Sequence, residues 1–350
     1  MGNKDIKKRF PLRIVLIVLT IAVIIGGYVS FRLYAAFFSG NVTDRYDYLY
    51  VRTGWTFEDV FNEISEKEMV KNTKTFRWAA EKMDYPNRVK AGKFRLEPDM
   101  NNRTLINKLG GGLQEPVRIR FEHLRLKEEL AGLIAAQLEA DSTALSTILN
   151  NATVADQYGF TAVNFFTMFI PNTYEFYWNT SAEQFVERMA REYNRFWNED
   201  RLAKAKDLEM TPQEVSVLAS IVKGEAMHTS EMPTIAGLYI NRLRRGMRLQ
   251  ADPTVIFANN DFTIRRVLYA HLTKDSPYNT YLYGGLPPGP INLPSIASID
   301  AVLDYEKHKY IFMCAKEDFS GYHSFAVTQA EHNINARRFQ RALNERNIKR

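Results

Sequence analysis

The 350-residue sequence is poorest in cysteine, with Cys314 alone. An intrachain disulfide is therefore excluded, and so is a zinc site built on cysteine. The body of the chain also lacks a net positive charge. Subtracting the +4 of residues 1–13 and the +5 of residues 337–350 from the formal net charge of +6 leaves −3 for everything between. A nucleic-acid binder carries its basic charge on the folded body, so nucleic acid is not an expected partner. There is no G-x-S-x-G elbow for serine-hydrolase chemistry. Glu331-His332-Asn333 invites a zinc reading, but no second histidine stands at ligand spacing, although His323 is able to approach in space. Gly110–Gly112 lacks the lysine and preceding strand of a phosphate loop and reads as a helix stop followed by a linker. Neither a metal nor a cofactor is expected.

What is present is apolar residues, 45% of the chain, which excludes disordered and collagen-like classes. The length allows one large domain or two medium ones. Ile14–Phe31 contains no charge, and after Arg32 the apolar character resumes from Leu33 to Phe38. About 20 apolar residues cross a bilayer, so residues 14–36 are expected to form a transmembrane helix. Lys4, Lys7, Lys8, Arg9 and Arg13 precede it, which predicts a cytoplasmic N-terminus over residues 1–13 and an extracytoplasmic remainder. A cleaved signal peptide is the alternative. Its core is usually shorter, and Ala35-Ala36 is a poor cleavage site.

Residues 39–47 read as a short linker, followed by a small α+β module over 48–112. Its expected parts are a strand at Tyr48–Arg52, a turn at Thr53-Gly54, and a helix capped by Thr56 with Val60, Phe61 and Ile64 on one face. A second helix lies around Phe76, Trp78, Ala79 and Met83. A strand at Lys93–Leu96 then leads to a helix with Leu105, Ile106 and Leu109 that stops at Gly110. Glu115–Phe121 alternates like a strand and opens a larger, mostly helical domain over residues 118–345. The expected fold class is α+β.

Residues 211–231, TPQEVSVLASIVKGEAMHTSE, carry the strongest signal. Thr211 with Glu214 forms a capping box and Pro212 takes the first helical position, so the helix start is fixed. Glu225 follows Leu218, Ile221 and Val222 at +7, +4 and +3 and therefore projects from their apolar face. A carboxylate there loses hydration and its pKa should rise. A protonated acid near neutral pH is what general-acid cleavage of a glycosidic bond requires. The alternative is that Gly224 weakens the helix and Glu225 ends it, pointing to solvent.

LASIVKGEA (218–226) resembles the LASIV-x-x-E signature of the endolytic murein (peptidoglycan) transglycosylases, the MltG or YceG-like family. The resemblance continues in INRLRRGMRLQADPTVIFA (240–258), SPYNTYLYGGLPPGPINLPSIASIDAVL (276–303) and HSFAVTQAEHNIN (323–335). Residues 48–112 resemble the LysM-like subdomain of the same family, and residues 118–345 its catalytic domain. Two departures stand out. Lys223-Gly224 replaces a charged pair before the glutamate, and Ile170-Pro171-Asn172-Thr173-Tyr174 carries Asn172 where the family often has an acid.

The resemblance implies an inner-membrane enzyme whose catalytic domain faces the cell wall. It implies cleavage inside glycan strands between N-acetylmuramic acid and N-acetylglucosamine, leaving 1,6-anhydromuramic ends, with Glu225 as catalyst. Glycan strands, the membrane and peptidoglycan synthases are the implied partners. Ordinary glycosidases use two carboxylates. A lytic transglycosylase can use one, because the muramoyl 6-hydroxyl replaces water, and no carboxylate pair is evident in the sequence. Gln250, Asp252 and Thr254 around a rigid turn, and Tyr278, Asn279 and Tyr281 with their rings and amide, are candidate substrate-binding residues. So is Asn292 after the stiff Pro287–Pro290 loop. Glu331 and Asn333 are expected to position substrate or Glu225, or else to form a buried network. For the turn residues the alternative is local turn chemistry. A catalytically silent, membrane-anchored wall-binding or scaffold protein is the alternative for the whole chain, with no reason to keep an acid at 225.

Overall fold

The computed structural model describes residues 12–346. Lys4, Lys7, Lys8, Arg9, Lys349 and Arg350, and with them most of the expected cytoplasmic segment 1–13, lie outside these residues. The described chain is mixed α+β, with three two-stranded sheets among many helices. It divides into two compact units. One runs through Val117 and includes Tyr177–Asn179; the other holds Arg118–Phe176 and everything from Thr180.

In the first unit, α1 (Leu12–Phe38) is long and apolar enough to cross a membrane, with mean hydropathy 2.7 over its most apolar 18 residues. Its side chains over 13–34 are exposed. The Thr20 hydroxyl returns to the Leu16 carbonyl at 2.9 Å, which satisfies this polar group inside the apolar run. The module that follows contains β1 (Tyr48–Val51), α2 (Phe57–Glu66), α3 (Thr73–Lys82), β2 (Gly92–Arg95) and α4 (Asn102–Gly111). β1 and β2 pair antiparallel, Tyr48 opposite Arg95 and Val51 opposite Gly92. The alternate residues Leu49, Val51 and Phe94 meet Val60, Ile64, Phe76, Leu105 and Ile106 in one core.

Two expectations change here. The helix expected to stop at Gly110 runs to Gly111 and ends on Gly112, whose φ of +70° suits glycine. Residues 39–47 are not a free linker. Asn41 and Val42 are buried, and isolated bridges join Gly40 to Asn101 and Val42 to Val70. Asn41 Nδ2 donates to Asn102 Oδ1 at 2.7 Å and Asn102 Nδ2 to the Ala36 carbonyl at 2.8 Å. Phe37 packs on Trp78 with ring centroids 5.3 Å apart, so the last turn of α1 belongs to the module.

The second unit begins within β3 (Pro116–Phe121), a strand paired with β4 (Asn172–Tyr177), and α5 (Lys127–Ala135), α6 (Ser142–Leu149) and α7 (Ala152–Gln157) lie between them in sequence. α8 (Ala182–Phe196) and α9 (Glu199–Asp207) lead into α10 (Pro212–Glu225). α10 packs against α11 (Met232–Arg244), α12 (Asp252–Asn259) and α14 (Ile296–Leu303), with the short α13 (Tyr269–Leu272) beside α12. Every residue from Val215 to Val222 is buried, so α10 is a central helix rather than one with a single apolar stripe. The buried hydroxyls of Ser216 and Ser220 return to the helix, on Pro212 O and Val217 O. β5 (Phe312–Ala315) and β6 (His323–Ala326) form an antiparallel hairpin against α15 (Gln329–Glu345).

Candidate active site

The capping box sets where α10 begins. Thr211 N donates to Glu214 Oε2 at 2.8 Å, and Glu214 N to Thr211 Oγ1 at 3.2 Å. Glu225 is the last helical residue and Ala226 the cap. The acid thus ends the helix, yet it faces a cleft. Gly224 does not loosen the helix. A Cβ there would stand 2.8 Å from Pro253 Cβ and 3.1 Å from its Cγ, so glycine is what lets the start of α12 lie against the end of α10.

That approach sets the chemistry of Glu225. Protein surrounds the carboxyl apart from its opening to the cleft, and this burial pushes its pKa up to about 7. The Tyr239 hydroxyl donates to Oε1 at 2.9 Å and opposes the rise. The negative charge of Asp252 adds to it, while the Asp252 backbone N–H and the Arg242 charge oppose it. The Asp252 backbone N–H ties the two acids together, and Tyr281 Oη holds the Asp252 carboxylate, donating to Oδ1 at 2.6 Å. No carboxylate pair is evident in the sequence, but the fold builds one from residues 27 positions apart. Burial and the Glu225 charge both raise the Tyr239 pKa, so its hydroxyl stays a donor.

Glu225, Tyr239, Arg242, Gln250, Asp252 and Tyr281 line a cleft of about 280 Å³. Its remaining wall includes Met313, Cys314 and Ala315 of β5 and His323 of β6. Arg242 is buried by design of its contacts. Nε donates to Ile311 O at 2.6 Å, and Nη1 to Leu249 O at 3.0 Å and Gln250 Oε1 at 3.1 Å. Gln250 adopts φ +50°, a conformation held by this bond and by its own N–H to Thr280 O. A second, larger hollow of about 710 Å³ reaches the same helix end through Lys223, Ala226 and Met227, and Asn172 and Thr173 line it.

Of the candidate residues, the cleft gathers Glu225, Gln250, Asp252 and Tyr281. The others occupy different places. Thr254 is fully buried and bonds Ala251 O and Thr280 Oγ1. Asn279 is fully buried and donates to Leu272 O and Lys274 O, shaping the turn. Tyr278 packs on Phe257 at 4.6 Å. Asn292 donates to Ser220 O at 2.8 Å and fastens its loop to α10. Glu331 lies outside the cleft: it accepts the backbone N–H groups of Val327 and Thr328 as the capping box of α15, and hydrogen bonds hold its pKa down. Asn333, on the exposed face of α15, accepts from Gln329.

Sequence reading missed Tyr239 and Arg242, and weighed His323 only beside Glu331-His332-Asn333. A signal existed for the first two. Ile235, Tyr239 and Arg242 follow one another at +4 and +3, placing an arginine on a buried face as surely as Glu225 on its own. His323 meets its partner across 92 residues, which no local pattern reveals.

A cleft at the end of a buried helix, holding one raised carboxyl and a second carboxylate beside it, defines a candidate acid–base site. The chain belongs to the YceG-like family, whose model matches residues 49–338. It is 34% identical over 168 residues to the endolytic murein transglycosylase of Bacillus subtilis (strain 168), covering 48% of this chain and 46% of that protein. It is 24% identical over 314 residues to the endolytic murein transglycosylase of Streptococcus pneumoniae, covering 81% and 56%. The chain spans about half the length of the curated relatives it matches. A crystal structure of a YceG-like protein from Listeria monocytogenes aligns with TM-score 0.55 and 25% identity, over 82% of this chain and 98% of that one.

Proposed function

We propose that this chain is a membrane-anchored endolytic lytic transglycosylase acting on peptidoglycan glycan strands. The observation that carries the reading is Glu225, an acid raised to about 7 in a cleft at the end of a buried helix. Family membership and the printed names of the relatives supply the substrate class.

In this mechanism protonated Glu225 donates to the oxygen linking muramoyl C1 to the glucosamine unit. The C1–O bond breaks, the glucosamine leaves with the proton, and positive charge spreads over C1 and the ring oxygen. Tyr239 and the Asp252 N–H stabilise the Glu225 carboxylate just formed. The Asp252 side chain, held by Tyr281, places negative charge beside the cationic sugar. The muramoyl 6-hydroxyl then attacks C1 and gives its proton to Glu225. The enzyme is restored, and the product is a 1,6-anhydromuramoyl end. Raised acidity of this kind suits general-acid work at neutral pH.

Under this reading α1 over 14–36 anchors the chain with its N-terminus cytoplasmic, residues 48–112 act as a LysM-like wall-binding subdomain, and residues 118–345 form the catalytic domain. Peptidoglycan synthases are partners in the same location. The test is to incubate the detergent-solubilised full chain with purified peptidoglycan and weigh the products. Ends lighter by one water than reducing ends are expected. Incorporation of labelled oxygen from water at muramoyl C1 would instead mean hydrolysis, with Asp252 holding the water.

A further inference from the structure

The cleft wall carries one side chain, His323, that is organised by a partner behind it and that the mechanism above leaves unused. Glu231 follows α10 by a short turn, and it is buried, at 6% exposure. Both of its carboxylate oxygens are committed to one residue. Oε1 accepts the His323 backbone N–H at 2.7 Å, and Oε2 meets His323 Nδ1 at 2.8 Å. A carboxylate offers only acceptors, so this contact places the ring proton on Nδ1. In the neutral ring Nε2 then remains as the acceptor nitrogen, and the ring lines the cleft with Glu225.

The start of β6 is already held to the turn after α10 by other contacts. Tyr322 stacks on His228 at 4.1 Å, Ser230 Oγ meets Tyr322 Oη at 3.1 Å, and His228 Nε2 meets Ser320 O at 2.8 Å. A buried carboxylate that spends both oxygens on one histidine fixes the tautomer and the direction of that ring.

We propose that His323 is a substrate-binding residue of the cleft, whose Nε2 accepts a hydrogen bond from a saccharide hydroxyl, and that Glu231 is its positioning residue. This rests on the function proposed above. The hydroxyl is not a reacting group, so the contact is made equally in ground and transition states and its loss appears in KM.

The deciding variant is Glu231→Gln in the full chain. The amide keeps both contacts but donates to Nδ1, which forces the ring proton onto Nε2 and turns the acceptor into a donor. KM for purified glycan strands should rise about 5- to 100-fold, the range for a buried hydrogen bond left mismatched. Turnover should stay within a few-fold and the thermal midpoint should not move. His323→Gln, which restores an acceptor near the Nε2 position, should stay within about 3-fold of the parent, well short of His323→Ala. Strand affinity measured in a Glu225→Gln background should weaken by the same factor when Glu231→Gln is added. If parent and Glu231→Gln cleave with equal KM, the pair is structural and this inference alone falls. If the parent neither binds nor cleaves the strands, the proposed function falls and this inference with it.

Discussion

Glu225 and Glu331 are both helical glutamates next to a chain end of a helix, and they differ in every physical respect that matters. Glu331 sits in the first turn of α15, where backbone N–H groups without helical partners hydrogen-bond its carboxylate and lower its pKa. Glu225 sits in the last turn of α10, where no such donors belong to its own helix, and burial raises its pKa to about 7. The donors it does have are borrowed from Tyr239 and from the start of α12. The same side chain is a hydrogen-bonded cap at the start of one helix and a buried acid of raised pKa at the end of another.

The largest effect expected from this contrast is on turnover. Glu225→Gln removes the transferable proton and should reduce cleavage by about 10²- to 10⁴-fold or more, with the thermal midpoint unchanged or raised. Turnover within a few-fold of the parent would remove Glu225 from the mechanism.

Gly224→Ala follows. Its new Cβ meets the rigid Pro253 ring, so overpacking should cost about 1–3 kcal/mol, outweighing the roughly 1 kcal/mol that alanine gains over glycine in a helix. It should also pull the Asp252 N–H from Glu225 and lower kcat. A stabilised, fully active variant by denaturant titration and assay would refute the close approach.

The pH dependence sharpens the contrast in sign. Glu225 is raised in the folded state, so its neutral form contributes stability that is complete below about 4.5 and is lost as pH climbs through about 7. The change amounts to about 3 kcal/mol. Activity should fall over the same upper limb. Glu331 is lowered, so its contribution is present above the usual carboxylate range and is lost as pH falls through its own value. Denaturation curves of the parent and Glu225→Gln between pH 4 and about 8 should diverge toward the alkaline side.

The smallest effect is expected at Glu331→Ala. Loss of its two backbone contacts should show as a lower thermal midpoint, while activity stays within a few-fold. A collapse of kcat with the fold intact would return Glu331 to the site.

These two acids also show what a sequence discloses. The start of α10 and the burial of residue 225 were legible, because a capping box and helical spacing are local. Thr328 with Glu331 repeats the same box signature as Thr211 with Glu214, so the capping role was legible too and was passed over. Thr254 and Asn279 have the chemistry of sugar ligands, but which way a turn faces depends on packing, and here it faces the core. The Asp252–Glu225 approach depended on what a missing Cβ at 224 allows, and the His323–Glu231 pair on the return of β6 to the turn after α10. Neither is written in any short window.

The seam where α1 enters its module has a mechanical meaning. Asn102 holds the Ala36 carbonyl, Phe37 rests on Trp78, and residues 40–42 are bridged into the module, so no swivel lies between helix and module. The compliant place is higher up. Gly26-Gly27 lie inside the continuous α1 with nothing within 4 Å of where their side chains would be, and glycine pairs are where helices bend most readily. With α1 spanning a bilayer as proposed, tilt is absorbed inside the hydrocarbon, and the segment from residue 28 to the module moves as one stiff mast.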